Sequence, residues 1–263
     1  MDVTVIIPSI GRSSLASAVE SVLSQTRAVE KILVVADGLE SESRVRTILS
    51  SMSSDSVEIL ASPRHGAPAG VRNFGLARVK TDLVAWLDDD DVWFDKKIQS
   101  QLPQFQTGIV AVSANASVDT DLDREPLLSL TTGRYSFRDL VGENLIVTSS
   151  IICRTYALKA VGGFPSKPFL LDDYAAWLRL ATKGDFWISE KPLVVYARRS
   201  THSVSSRLEE HNVSKLHDDV SRVTYATIVF ALTHVQLRAV AHCVFFLARH
   251  YIHRFSGLRR RIL

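Results

Sequence analysis

Four short runs rich in Val, Ile and Leu alternate with segments of helical spacing, and this alternation constrains the fold more than any other feature of the chain. The runs are Val3–Ile7, Lys31–Ala36, Val57–Leu60 and Leu83–Leu87. They lack polar alternation, so they read as strands buried on both faces, whereas Leu15, Val19, Val22 and Leu23 carry a helix period. Repetition of strand, helix and strand predicts an α/β fold: a mostly parallel sheet flanked by helices, whose ligands lie beyond the carboxyl ends of the strands. Polar residues collect at that end. The loop after Pro8 follows the first run, Asp37-Gly38 the second, and Asp88-Asp89-Asp90-Asp91 the fourth.

The second half of the chain is less regular. Gly108–Ala114 reads as a strand, residues 115–135 as a polar loop or hairpin, and Ile146–Cys153 as a strand leading into a short helix. Gly162-Gly163-Phe164-Pro165 is a strong turn signal, Asp172–Leu180 opens a helix with acids in its first turn, and Pro192–Ala197 is a last strand. With 263 residues, 46% of them hydrophobic, the chain can bury a core without a metal or disulfide staple. Cys153 and Cys243 stand in apolar surroundings without CxxC spacing, and no secretory leader is evident, so both read as buried thiols in a reducing compartment.

Four adjacent carboxylates repel one another unless something neutral or positive intervenes. At a strand's end, facing a ligand cleft, such a cluster suits a hard divalent cation, Mg or Mn, that shares its shell with substrate phosphates. The competing reading is a helix N-terminal charge on a solvated face ahead of Trp93, above all for Asp89. Asp37 could equally be a turn residue, Arg72 a helix-surface arginine, Asp172 and Asp173 a helix-capping pair, and His202 an exposed loop histidine.

The ordered motifs resemble those of family 2 glycosyltransferases with the GT-A fold. Val5-Ile6-Ile7-Pro8-Ser9-Ile10-Gly11-Arg12, followed by Leu15, Ala18-Val19 and Ser21–Thr26, is similar to that family's amino-terminal signature, and Asp37-Gly38 to its acid after the second strand. Gly70–Ala77 resembles the Ala-Arg-Asn-x-Gly segment, with Val71 where Ala is usual, and Leu87–Asp91 the Leu-Asp-x-Asp-Asp metal motif. Gly162-Gly163-Phe164 and Asp173-Tyr174 with Trp177-Leu178-Arg179 match later segments, Asp172 replacing the usual Glu. Tyr196–Ser205 is similar to the closing Tyr-Arg-x-His-x-x-Ser segment, with one extra residue or a shift.

The resemblance implies a Rossmann-like GT-A domain over residues 1–205, nucleotide-binding in 1–91 and acceptor-binding in 92–205, followed by basic helices in 206–263. It implies an inverting transfer of a sugar from a nucleotide-diphosphate donor, a UDP-sugar, to a saccharide acceptor carried on a lipid, in bacterial-type surface polysaccharide synthesis. Pro8, Ser9, Arg12 and Asp37 would line the nucleoside pocket, Arg72 would face the diphosphate, and Asp88 and Asp89 would complete the nucleotide contacts. Asp90, with Asp88, Asp91 and His202, would hold the Mn or Mg cation. Asp173, or its neighbour Asp172, would be the general base that takes the acceptor hydroxyl's proton.

After Asp219 no acidic side chain occurs, while Arg222, Arg238, Arg249, Arg254, Arg259, Arg260 and Arg261 follow. From Val223 to His253 a helical wheel gathers Thr224, Thr227, His234, Arg238, His242, Arg249 and His253 into a narrow polar stripe on an otherwise apolar helix. Such a helix suits the surface of an anionic membrane, which predicts a cytoplasmic protein bound peripherally to the inner membrane face. Packing of the helix on the catalytic domain, or across a homodimer, is the alternative. No reader motif for nucleic acid accompanies the arginines. Two other functions compete: a haloacid-dehalogenase-like phosphatase, whose Asp-x-Asp-x-Val pattern Asp88, Asp90 and Val92 satisfy, and a non-catalytic sugar-nucleotide-binding membrane adaptor.

Overall fold

The structure is a computed structural model that describes residues 1–52, 54–118, 125–165, 171–197, 223–229 and 238–248. Nine strands form one sheet: β1 Val3–Ser9, β2 Lys31–Asp37, β3 Val57–Ser62, β4 Leu83–Trp86, β5 Val92–Trp93, β6 Ile109–Val118, β7 Gly133–Tyr135, β8 Ile152–Arg154 and β9 Asp185–Tyr196. Among the described residues seven helices carry the remaining regular structure of the domain: α1 Leu15–Leu23, α2 Leu39–Ile48, α3 Pro68–Arg78, α4 Lys97–Gln101, α5 Phe137–Leu140, α6 Thr155–Ala160 and α7 Asp172–Ala181. Strand order is β3-β2-β1-β4-β8-β6-β9-β5, with β7 paired to β9.

The sheet has two characters. β3, β2, β1 and β4 run parallel, with Val5 opposite Ile32 and Ala85, as the uniform apolar runs require. β8 is antiparallel to β4 and to β6, and β9 returns parallel to β6 but antiparallel to β5 and β7. The first half therefore fits the expectation of a parallel sheet, and the second half is mixed. Pro8 does not end the first strand: it pairs with Val35, and the strand continues to Ser9.

Side-chain alternation divides the core between the two faces. Val5 and Ile7 point toward Leu15, Val19, Val22 and Val45 of α1 and α2. Ile6, Leu33 and Val35 point toward α3, α6 and α7. Each such fully buried aliphatic side chain contributes about 1.5–3 kcal/mol relative to exposure. α3 starts with Pro68 in its first turn, where a missing N–H costs nothing, and lies close on the sheet at Gly75, whose added Cβ would come within 2.9 Å of Ile6. That close approach carries Arg72 toward the carboxyl end of β4.

Two further expectations change in the structure. Ile146–Cys153 is not one strand: Thr148–Ser150 forms a 3-10 turn, and only Ile152–Arg154 joins the sheet. Beyond residue 114, β6 continues to Val118, and an isolated bridge joins Ser117 to Pro126.

The tail is helical at 223–229 and 238–248. Val223, Ala239 and Cys243 join the core cluster beside α5 and α7, and His242 stacks on Phe137 with ring centroids 6.4 Å apart. The polar stripe turns partly inward, because Thr224 and Thr227 are buried and Thr227 Oγ1 donates to the Val223 carbonyl, which removes the cost of burying it. Tyr225, Val229, Val244 and Phe245 are the tail's exposed large hydrophobic residues among those described. Cys153 and Cys243 are free, buried thiols. Among the described residues no helix is long and apolar enough to cross a membrane.

Candidate active site

A cleft of about 1100 Å³ opens at the carboxyl ends of β1, β2 and β4. Pro8, Ser9, Arg12, Asp37, Arg72, Asp88, Asp89, Asp90, Asp172 and Asp173 all line it, so one cavity gathers nearly every residue singled out from the sequence. His202 lies outside the described residues.

At one end the Asp37 carboxylate accepts the backbone N–H groups of His65 at 2.6 Å and Gly66 at 3.0 Å. Asp37 thus ties the end of β2 to the loop that enters α3, 28 residues on, while still lining the cavity.

The acidic loop is not uniformly solvated, and its members have separate fates. Asp89 is 1% exposed; Ser9 Oγ donates to its Oδ2 at 2.6 Å and Arg12 Nη1 to its Oδ1. Burial contradicts the solvated-face reading: Asp89 anchors the loop to the turn after β1 while still lining the cleft. Asp91 is also 1% exposed; Ser149 Oγ donates to its Oδ2 and the Ala197 N–H to its Oδ1, and it does not line the cleft. Buried and outside the cleft lining, Asp91 is placed to support the acidic loop from behind rather than to face a ligand in the cleft. Burial and the neighbouring Asp88 push its carboxyl well above the usual range, while Ser149 and Ala197 hold it down.

Asp88 and Asp90 remain at the cleft. Asp88 accepts from Arg72 Nη2 at 2.8 Å, and its N–H donates to Ser149 Oγ at 3.0 Å. Asp90 stands 3.8 Å from Arg12 Nη1. Burial, with Asp88 as the next cause, raises its carboxyl above the ordinary range, although Arg12 opposes the shift. Among the described residues no group of three or more His, Cys, Asp or Glu side chains is gathered as a complete metal cage. Two carboxylates open to a cleft nevertheless fit Mg or Mn, which keeps waters and takes substrate phosphates rather than a full protein shell.

Opposite the acidic loop, α7 presents Asp172 and Asp173 in its first turn. Arg72 joins the two sides: Nη1 lies 3.6 Å from Asp172 Oδ2, and the guanidinium sits over the Phe164 ring, 5.3 Å from its centroid. The side chain is buried, not on a helix surface, and its Nε has no hydrogen-bond partner. Burial alone would lower its pKa, but Asp88 and Asp172 raise it on balance, so it is a fixed cation. Burial pushes Asp172 up to about 6 against the opposing pull of Arg72. Burial likewise raises Asp173, opposed by Arg72, the Tyr174 N–H and Thr148. Two carboxylates raised above their ordinary range beside one cation are groups that can take part in proton transfer.

The Gly-Gly-Phe turn has a clear mechanical role. Asn73 Nδ2 donates to the Phe164 carbonyl at 2.7 Å and Asn73 Oδ1 accepts its N–H at 2.9 Å. Gly163, at φ 65°, permits this clamp; a Cβ there would collide with Asn73. Phe164 in turn packs edge-on against Trp86 and Trp177 beneath Arg72.

Several lining residues escaped the sequence reading. Leu127, Leu128, Asn144, Ile146, Val147 and Leu171 also line the cleft, and Thr148 donates to Asp173 Oδ2 at 3.0 Å. The available signal was the hydroxyl triplet Thr148-Ser149-Ser150 interrupting an apolar run, a poor pattern for a buried strand.

Comparisons with known proteins add a family and a fold. The model of "Glycosyl transferase family 2" matches residues 4–161. UDP-Glc:alpha-D-GlcNAc-diphosphoundecaprenol beta-1,3-glucosyltransferase WfaP of Escherichia coli is 27% identical over 177 residues, covering 66% of this chain and 67% of the relative. The chain spans only 26% to 40% of the length of three other curated glycosyltransferases that it matches. Among solved structures, Staphylococcus aureus TarS 1–349 in complex with UDP-GlcNAc superposes with a TM-score of 0.70 at 16% identity, covering 93% of this chain and 72% of that one. The mannosyltransferase PcManGT of Pyrobaculum calidifontis, in complex with GDP-Man and Mn2+, gives 0.58 at 15% identity, covering 96% and 80%. The fold is the GT-A fold.

Proposed function

The chain belongs to glycosyl transferase family 2, and from that premise we propose that it moves a sugar, with inversion, from a UDP-sugar to a hydroxyl of a lipid-linked saccharide. The observation that carries the reading is the division of one cleft by Arg72, with Asp88 and Asp90 on one side and Asp172 and Asp173 on the other. A donor diphosphate needs a cation held beside it and an acceptor hydroxyl needs a proton acceptor, and a carboxylate pair on each side of Arg72 could serve each need.

Pro8, Asp37 and the loop after β2 would border the nucleoside, and the Arg72 cation would face the diphosphate. Asp90 and Asp88 would hold a Mg or Mn cation, which when bound offsets charge on the departing diphosphate. Asp173 would orient the acceptor hydroxyl and take its proton as that oxygen attacks the anomeric carbon. No covalent bond to the protein is needed, since a single displacement inverts the centre. Thr148 and the Tyr174 N–H leave Asp173 restrained, which favours one direction of approach.

A lipid-linked acceptor accords with the activity in WfaP's name and with the tail. Tyr225, Val229, Val244 and Phe245 face solvent, and the arginine-rich sequence beyond them would meet anionic headgroups at a cytoplasmic membrane face. Bacterial-type surface polysaccharide synthesis is the corresponding setting. A homodimer through the same apolar face is the alternative use of that surface.

The test is incubation of purified protein with a panel of nucleotide sugars and manganese, with and without EDTA, scored for free nucleoside diphosphate and for transfer to a lipid-linked saccharide. Release from at least one donor is expected. Orthophosphate release from phosphomonoesters would instead favour the phosphatase reading, and nucleotide binding without turnover the adaptor reading.

A further inference from the structure

Three consecutive hydroxyl residues, Thr148-Ser149-Ser150, fill a 3-10 turn whose first member lines the cleft, and all three are buried. Their hydrogen bonds reach both halves of the site. Ser149 Oγ accepts the Asp88 N–H at 3.0 Å and donates to Asp91 Oδ2 at 2.5 Å. A hydroxyl has one proton; with the amide already donating to it, that proton is committed to Asp91. Thr148 Oγ1 donates to Asp173 Oδ2 at 3.0 Å, while the Tyr174 N–H holds Asp173 Oδ1 at 2.6 Å. One residue of the turn therefore fastens the acidic loop and its neighbour fastens the carboxylate of α7.

The turn itself is held rigidly. Ser150 donates to the Val147 carbonyl from both N, at 2.9 Å, and Oγ, at 2.8 Å. The Ser149 carbonyl accepts Trp93 Nε1 at 2.7 Å, and the Ser150 carbonyl accepts Gln101 Nε2 at 2.9 Å. Buried hydroxyls in a satisfied network fix geometry more firmly than apolar contacts, because each alternative leaves a polar group unpaired.

We propose that Thr148 and Ser149 are positioning residues that set the separation between the general base and the donor-holding acidic loop, through one peptide unit of about 3.8 Å between Cα atoms. The inference rests on the glycosyltransferase reading and deepens it. Neither residue touches the reacting atoms. Thr148 acts on the base, and Ser149 on the loop that carries Asp88 and Asp90.

The two hydroxyls should consequently fail in different ways. Thr148→Val keeps the volume and removes the donor; it should lower the kcat for transfer about 10- to 100-fold, the range a misplaced catalytic group costs, while the affinity for the nucleoside diphosphate that wild type releases stays within about twofold. Thr148→Ser restores the hydroxyl and should recover most of the lost rate. Ser149→Ala should weaken nucleoside diphosphate binding as well as transfer, since the acidic loop loses its anchor. Wild-type kcat in Thr148→Val, or an equal loss in Thr148→Ser, overturns the proposal, the latter by assigning the effect to methyl packing. Unaltered nucleotide affinity in Ser149→Ala overturns its half of the proposal. If Thr148→Val does not fold, Thr148→Ala against Thr148→Ser makes the same comparison. Absence of transfer by wild-type protein from every donor defeats the enzymatic reading itself, and this inference falls with it; active wild type with insensitive variants defeats this inference alone.

Discussion

Arg72 and Asp88 meet at 2.8 Å across 16 residues of sequence, and the same guanidinium reaches Asp172 at 3.6 Å from the other side of the cleft. One buried cation thereby balances carboxylates belonging to two functions. Lysine cannot span both, because its single ammonium lacks the fork. Arg72→Lys is expected to lower transfer about 100-fold with the fold retained. Steady-state kinetics beside circular dichroism checks this, and near-normal turnover would remove Arg72 from the site.

Within the acidic loop Asp89 is held by Ser9 and Arg12 and Asp91 lies outside the cleft lining, which makes Asp90 and Asp88 the candidate cation ligands. Asp90→Ala should abolish release of nucleoside diphosphate from the donor, and EDTA should do the same to wild type, with recovery on adding Mn or Mg. Asp91→Asn should instead lower thermal stability, since Ser149 and the Ala197 N–H would meet an amide that has only one acceptor oxygen. Undiminished turnover in Asp90→Ala removes that residue from the mechanism.

A general base must be ionised to accept a proton. Burial raises both Asp172, to about 6, and Asp173. The fraction ionised therefore falls as pH drops through a range above the ordinary carboxylate value of about 4. Transfer should show an acid limb there, lost progressively as pH falls through that range. Asp173→Asn should retain nucleotide affinity and lose transfer at every pH. In Asp172→Asn transfer should persist with its acid limb moved downward, because a neighbouring negative charge is gone. Retained transfer in Asp173→Asn would refute the base assignment.

Asn73 closes two hydrogen bonds on the Phe164 backbone, 91 residues away in sequence. Asn73→Ala leaves an N–H and a carbonyl without that partner and should destabilise the protein by about 1–3 kcal/mol. A lowered midpoint in urea at unchanged slope is the expected signature. No change in midpoint would mean that water replaces the clamp.

The exposed apolar residues of the tail lie on the side away from Val223, Ala239 and Cys243, which pack on the domain. Val244→Glu with Phe245→Glu should reduce co-sedimentation with anionic phosphatidylglycerol vesicles while leaving the fold intact. Unchanged vesicle binding together with a shift from dimer to monomer would assign the face to a second copy of the chain.

Much of the architecture was legible from local pattern. Uniform apolar runs such as Val3–Ile7 and Ile32–Ala36 can be satisfied only by burial on both faces, so the parallel half of the sheet followed from them. Its polarity then put Pro8, Asp37 and Asp88 at one edge before any contact was known. Asp172 and Asp173 were readable as a helix start. The mixed half was harder. Thr148–Ser150 reads locally as part of a strand, yet its hydroxyls find better partners in Asp88, Asp91 and Asp173 than a sheet would offer.

By itself, then, the sequence determined which chemistry-bearing residues exist and at which end of the sheet they gather, because strand and helix periods are properties of neighbouring residues. Only the tertiary structure decided their division of labour: Asp89 to Arg12 and Ser9, Asp91 to Ser149 and Ala197, Arg72 between Asp88 and Asp172. Four adjacent carboxylates look alike along the chain. Each is distinguished by partners 16 to 106 residues away that desolvate it or donate to it, and long-range contacts of that kind leave no local trace.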